Sequence, residues 1–250
     1  MPVNPAKLGL LVLALCVGPA HAEFVARYAE PESAKYRHVS ADFQQRKLLE
    51  TLARYLNDAV QVPGVVNLVF AECGQSNAYY RPSTRSVVMC YELMEEVAGK
   101  VLQDFRSSSF EAVSDVTFGT VMFFLFHEVG HALVDVLMLP ILAREEDSAD
   151  AIATYFQLNS AMHFPSVIGA AWFFDSMSAS LTNQQFSDEH SFGPQRKFNV
   201  LCFAFGSDPA AFSKMAQSAG LSVERANRCG DEYARLDSSV RKLLGRNLRR

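Results

Sequence analysis

Val121-Met122-Phe123-Phe124-Leu125-Phe126-His127-Glu128-Val129-Gly130-His131-Ala132-Leu133 sets the pattern H-E-x-x-H inside an apolar run whose periodicity predicts a buried helix. Residues four apart lie one turn apart on the same helix face, so the imidazoles of His127 and His131 can converge on one ion at the roughly 2.0 Å of a Zn–N bond. Glu128 is rotated off that pair, where a carboxylate can act as general base on a water at the ion. Two imidazoles and a carboxylate among Phe and Leu side chains cost a few kcal/mol to bury unless something such as a metal compensates.

A site of this kind needs a third protein ligand and keeps a fourth position open. Pro140 ends the first helical stretch, and Arg144-Glu145-Glu146-Asp147-Ser148-Ala149-Asp150 opens a second with its acidic residues in the first turn, where they favour the helix dipole. Glu146 and Asp150 are also four apart. One carboxylate can therefore bind the metal while the other accepts the spare N–H of a ligating histidine. Glu146 is the expected third ligand of one Zn²⁺, and Asp150 the expected partner of a ligand histidine.

His127-Glu128-x-x-His131 followed by Glu146-x-x-Ala149-Asp150 resembles the gluzincin pattern of zinc metallopeptidases, in which H-E-x-x-H is completed by a Glu from an E-x-x-x-D helix. Asn77-Ala78-Tyr79-Tyr80 is similar to the edge strand of thermolysin-like enzymes, whose backbone holds an extended peptide. Together these features look like a family of bacterial metallopeptidases, over about Asp42 to Tyr233. The resemblance implies a zincin-like fold, a peptide or protein substrate, and Asn77 and Ala78 as substrate-binding residues. The short loop between the motif helices and the absence of thermolysin's large C-terminal domain mean that its substrate range does not carry over. For the donor to the oxyanion of a tetrahedral intermediate, a role gluzincins often give to His or Tyr, the polar loop Thr182 to Pro194 offers His190. It stands near Asp188, Arg196 and Asn199, with His163 and Tyr155 as rivals. Phe123, Phe124 and Phe126 read as core packing.

The N-terminus has one basic residue, Lys7, then the apolar run Leu8 to Val17, then Ala20-His21-Ala22, which together read as a secretory signal peptide over 1–22. The apolar run is too short for a membrane span, and Leu15 before Cys16 fits a lipid-attachment site poorly. Cleavage leaves Cys73, Cys90, Cys202 and Cys229, an even number in an exported chain. Local pairing, Cys73 with Cys90 and Cys202 with Cys229, is the most economical of the three possible pairings. The net charge of −4 argues against nucleic acid as a partner.

A coarse reading gives a helix from Ser40 to about Ala59, strands at Val65 to Ala71, Ala78 to Tyr80 and Ser86 to Cys90, and a helix from Tyr91 to Phe105. Ser107 to Asp115 reads as a loop before the two motif helices. Helices at Ser166 to Ser178, Gln195 to Phe205, Pro209 to Ala219 and Ser222 to Leu244 complete the chain. The expected architecture is α+β: one domain over 23–250, a small sheet with the active-site helix, and a mainly helical C-terminal lobe from about 144. The expected function is zinc-dependent hydrolysis of peptide bonds in the bacterial periplasm or outside the cell, with Glu128 as base. A zinc-stabilised binding module and a metal-dependent amidase of cell-wall peptides are the alternatives. An intact Glu128 favours an enzyme, because a structural site has no use for a base.

Overall fold

The β-branched run Val65–Ala71 forms an inner strand of a four-stranded sheet in a computed structural model that describes residues 23–160, 163–177 and 189–249. This strand, β2, pairs in parallel with β1 (Glu23–Tyr28) on one side and with β4 (Ser86–Cys90) on the other. β3 (Ala78–Arg81) lies antiparallel to β4 at the far edge, so the order is β1-β2-β4-β3. Val66, Leu68 and Phe70 of β2 alternate into the core, as a strand with one face more deeply buried requires. The expected leader, the loop section 182–188 with Asp188, and the side chain of His163 lie outside the described residues.

Helices make up most of the rest: α1 (Ala34–Gln45), α2 (Leu48–Ala59), α3 (Tyr91–Asp104), α4 (Phe110–Val136), α5 (Glu145–Leu158), α6 (His163–Ser176), α7 (Gly193–Ser207), α8 (Pro209–Ser218) and α9 (Val223–Leu244). The protein is α+β, with the sheet toward the N-terminus and helices dominating after it. Two local expectations are corrected. The single helix from Ser40 to Ala59 is two helices: Ser33, not Ser40, caps the first through its Oγ, and Lys47 takes a left-handed conformation (φ 54°) that breaks the run. Residues 107–115 are not all loop, because Ser109 Oγ accepts the Ala112 N–H at 3.2 Å and starts α4 at Phe110.

α4 is the central helix, packed by α3, α5, α6, β3 and β4. By length and apolar content it is the one helix among the described residues that could cross a membrane, and 78% of its most apolar window is buried within the fold. α6 lies so close that a Cβ on Gly169 would meet the Thr120 backbone N at 2.2 Å, so only glycine permits this crossing.

The cysteines pair as Cys73–Cys90 and Cys202–Cys229. The first ties the turn after β2 to the start of α3, and the second staples α7 to α9 far from the sheet. Replacing Cys202 and Cys229 by Ser is expected to lower unfolding stability by about 2–5 kcal/mol and leave metal binding unchanged. Denaturant titration beside metal analysis checks both halves.

Candidate metal centre

His127 and Glu128 are buried on α4 and His131, one turn on, is partly so, and α5 crosses the helix at Gly130. A Cβ at residue 130 would stand 2.8 Å from the Ala149 Cα, so glycine inside the H-E-x-x-H motif is what lets α5 come close. The approach brings Glu146 onto the histidines. Its Oε2 lies 3.0 Å from His127 Nε2, its Oε1 lies 3.3 Å from His131 Nε2, and the two Nε2 atoms are 3.2 Å apart. Gly130→Val is expected to push α5 outward and reduce metal affinity at least about tenfold while the helical signal is kept. An unchanged affinity would contradict this account of the crossing.

The opposite ring nitrogens fix the tautomers. His127 Nδ1 faces Asp150 Oδ1 at 2.8 Å, and Asp150 receives Arg196 at both oxygens, from Nε at 2.7 Å and from Nη2 at 2.7 Å. Burial alone would raise the Asp150 pKa, but hydrogen bonds from Arg196 and His127 outweigh it and hold the carboxyl below its usual range. An ionised Asp150 accepts, so His127 carries its proton on Nδ1. His131 Nδ1 likewise faces Glu145 Oε1 at 2.8 Å. Both Nε2 atoms are then lone pairs aimed at each other and at the ionised Glu146.

Two ring nitrogens 3.2 Å apart, each 3.0–3.3 Å from one oxygen of the same carboxylate, repel unless a cation or protons sit among them. Two ligands at about 2.0 Å from one tetrahedral ion stand roughly 3.3 Å apart, so the spacing suits a metal. Charge points the same way: Glu128, Glu145, Glu146 and Asp150 gather around the two histidines, and among the described residues the permanent cation bonded to this group is Arg196, on Asp150. Where protons take the cation's place, burial lowers the pKa of His131 but hydrogen bonds to Glu146 and Glu145 carry it up to about 9. His127 is also raised, Asp150 and Glu146 outweighing its burial. Burial would raise Glu146, yet the three histidines around it hold it far below the usual range.

Glu128 is buried, which raises its pKa, and the nearby backbone N–H of Tyr80 offsets part of that rise. That placement follows from the register of β3. Asn77 O accepts from Cys90 N at 3.1 Å, so in antiparallel alternation Asn77 and Tyr79 bond to β4, and the backbone of Ala78 and Tyr80 faces the outer edge. The Tyr80 hydroxyl also donates to Asp135 Oδ2 at 2.7 Å, one helical stretch below Glu128. The edge strand is thus held against α4 by the Tyr80 hydroxyl.

A cleft of about 610 Å³ opens beside the metal-facing residues, with Asn77, Ala78, Glu128, His190 and Arg196 in its wall. Phe124 lines it too and packs edge-on against Phe173 at 4.7 Å between centroids, which corrects its reading as core. Phe123 and Phe126 are core as expected. Tyr155 lines a different pocket, with Tyr55 and Arg241, and is not brought to the site. His190 reaches the centre itself, its Nε2 2.9 Å from Glu146 Oε2.

Sequence reasoning assigned no role to two residues of the centre. Glu145 read as a helix-start charge, yet it holds His131. Arg196 was named only as a neighbour of His190. Its spacing of four from Val200 puts a charge on the apolar stripe of α7, which is a signal that a buried partner waits. Arg196 also covers the Phe174 ring at 4.2 Å. Arg196→Met leaves Asp150 buried without its counter-charge and is expected to weaken metal binding about 10- to 100-fold, with Arg196→Lys intermediate. Chelator competition ranks the three proteins.

A family model described as "Putative metallopeptidase" matches residues 28–244. No curated protein and no solved structure matches the chain.

Proposed function

The chain belongs to that metallopeptidase family, and from this premise we propose that it is an exported zinc-dependent peptidase acting on extended peptide segments. The observation that carries the proposal is the convergence of His127, His131 and Glu146 as acceptors beside a buried Glu128, at a cleft bordered by a strand edge. His127, His131 and Glu146 would hold the ion, with Asp150 and Glu145 keeping both histidines in the ligating tautomer. Zinc, when bound, supplies a Lewis acid that polarises the peptide carbonyl and makes water more acidic.

Glu128 takes the proton of the attacking water and passes it to the leaving amine. Its raised pKa suits both halves of that transfer, because a base closer to neutrality accepts and releases a proton more evenly. The outward N–H and C=O of Ala78 offer β-type hydrogen bonds to an extended chain, and Asn77 borders the same edge. His190 supplies a donor to the carbonyl oxygen as negative charge develops there. Two disulfides suit an oxidising compartment and support export, with a leader over 1–22 removed and one domain from residue 23 onward.

Metal analysis of the purified exported protein, run beside a peptide-library digest, tests the proposal. Stoichiometric zinc with cleavage is expected. Zinc without cleavage would leave a non-catalytic binding module, and no metal at all would overturn the centre.

A further inference from the structure

Three imidazoles, not two, converge on Glu146. One ligand atom from each of His127, Glu146 and His190 lies within 4.8 Å of the others, and His190 Nε2 is nearer to the Glu146 carboxylate, at 2.9 Å, than either motif histidine is. The His127 and His190 rings lie nearly parallel, at 24°, with centroids 6.4 Å apart, so both present an edge to the same carboxylate. The position is built from its surroundings. Ser191, the next residue, donates its hydroxyl to Asp147 Oδ1 at 2.6 Å and receives Arg144 Nη1 at 3.4 Å, which binds the chain at His190 to the first turn of α5 on both sides of Glu146. A histidine whose only task was to reach a substrate carbonyl across the cleft would not need its ring turned onto the ligand carboxylate.

We propose that His190 is a fourth protein ligand of the metal in the substrate-free protein, so that His127, His131, Glu146 and His190 together close its coordination shell. This rests on the metal centre proposed above and adds a consequence to it. Three nitrogens and one carboxylate oxygen would satisfy a tetrahedral zinc, whereas a hydrolytic site keeps one position for water. An incoming peptide or water therefore has to take the place of the His190 imidazole, and the displaced ring is then beside the carbonyl oxygen, where it can donate. Resting protein is latent with respect to water, and zinc held this way resists chelators better than a three-ligand site does.

The test compares wild type, His190→Ala and Asp147→Ala, each loaded with zinc and titrated with a competing chelator at fixed pH. His190→Ala is expected to lose zinc affinity by tenfold or more, and Asp147→Ala, which removes the Ser191 anchor but no ligand, to shift the same way by less. X-ray absorption at the zinc edge should count three imidazoles in wild type and two in His190→Ala. Circular dichroism of the metal-free proteins controls for folding, which a partly exposed residue at the cleft lip should not disturb. An affinity of His190→Ala within tenfold of wild type, or two imidazoles in both proteins, overturns the inference and leaves the three-ligand centre standing. Wild type that binds no zinc overturns both.

Discussion

Glu128→Gln is expected to retain zinc at the wild-type level and to hydrolyse peptide about 10²- to 10⁴-fold more slowly, the range that removal of a positioned general base produces. The substitution is nearly isosteric and leaves the Tyr80 hydroxyl on Asp135, so the edge strand keeps its anchor on α4. What disappears is the carboxylate proposed to take the water's proton. Glu128 is 8% exposed, and burial raises its pKa, so an uncharged amide relieves desolvation and the variant should unfold at the same temperature or slightly higher. Loss of turnover with retained metal and retained stability separates a chemical role from a structural one. Hydrolysis at the wild-type rate would remove Glu128 from the reaction.

His131→Ala is expected to abolish stoichiometric zinc binding, since it deletes one of the three converging acceptors and leaves Glu145 without its partner. Glu146→Ala should behave alike, whereas Glu145→Ala should weaken binding by only about 10- to 100-fold, because Glu145 orients a ligand without being one. The pH dependence follows from the same groups. In metal-free protein His131 holds a proton up to a pH of about 9, raised there by Glu146 and Glu145 against the effect of burial. Zinc has to displace that proton. Apparent affinity should therefore rise with pH, by at least about tenfold per unit, and level off near the raised value rather than near the 6.5 of a free imidazole. Calorimetry in buffers of different ionisation enthalpy counts the protons released. A profile already flat above pH 7 would show that the carboxylates do not hold His131 as described.

The local part of the centre was legible because helical spacing is local. His127 and His131, and again Glu146 and Asp150, share a face through the 3.6-residue period, and that period needs no knowledge of the rest of the fold. β2 was legible to its ends for the same reason, since Val65–Ala71 is β-branched and alternates. The hairpin and both local disulfides join neighbours in sequence.

What failed was competition between near-equivalent local signals. Ser33 and Ser40 are both reasonable caps, and only the left-handed Lys47 reveals that α1 and α2 are separate helices. Glu23–Tyr28 is short and became a strand by pairing with β2 some forty residues on.

The sequence by itself determined a helix with two histidines on one face, a second helix with its carboxylates in the first turn, and the α+β order, because each depends on contacts within a few turns. Tertiary structure decided which side chains complete the centre. Arg196 reaches Asp150 across 46 residues, His190 reaches Glu146 across 44, and Phe124 turns from core into cleft wall only once α6 is in place. Those distances are set by how closely α5 and α6 approach α4, and by how α7 packs on α5 and α6. Gly130 and Gly169 permit that approach, but the spacing of residues along one helix carries no information about what lies across it.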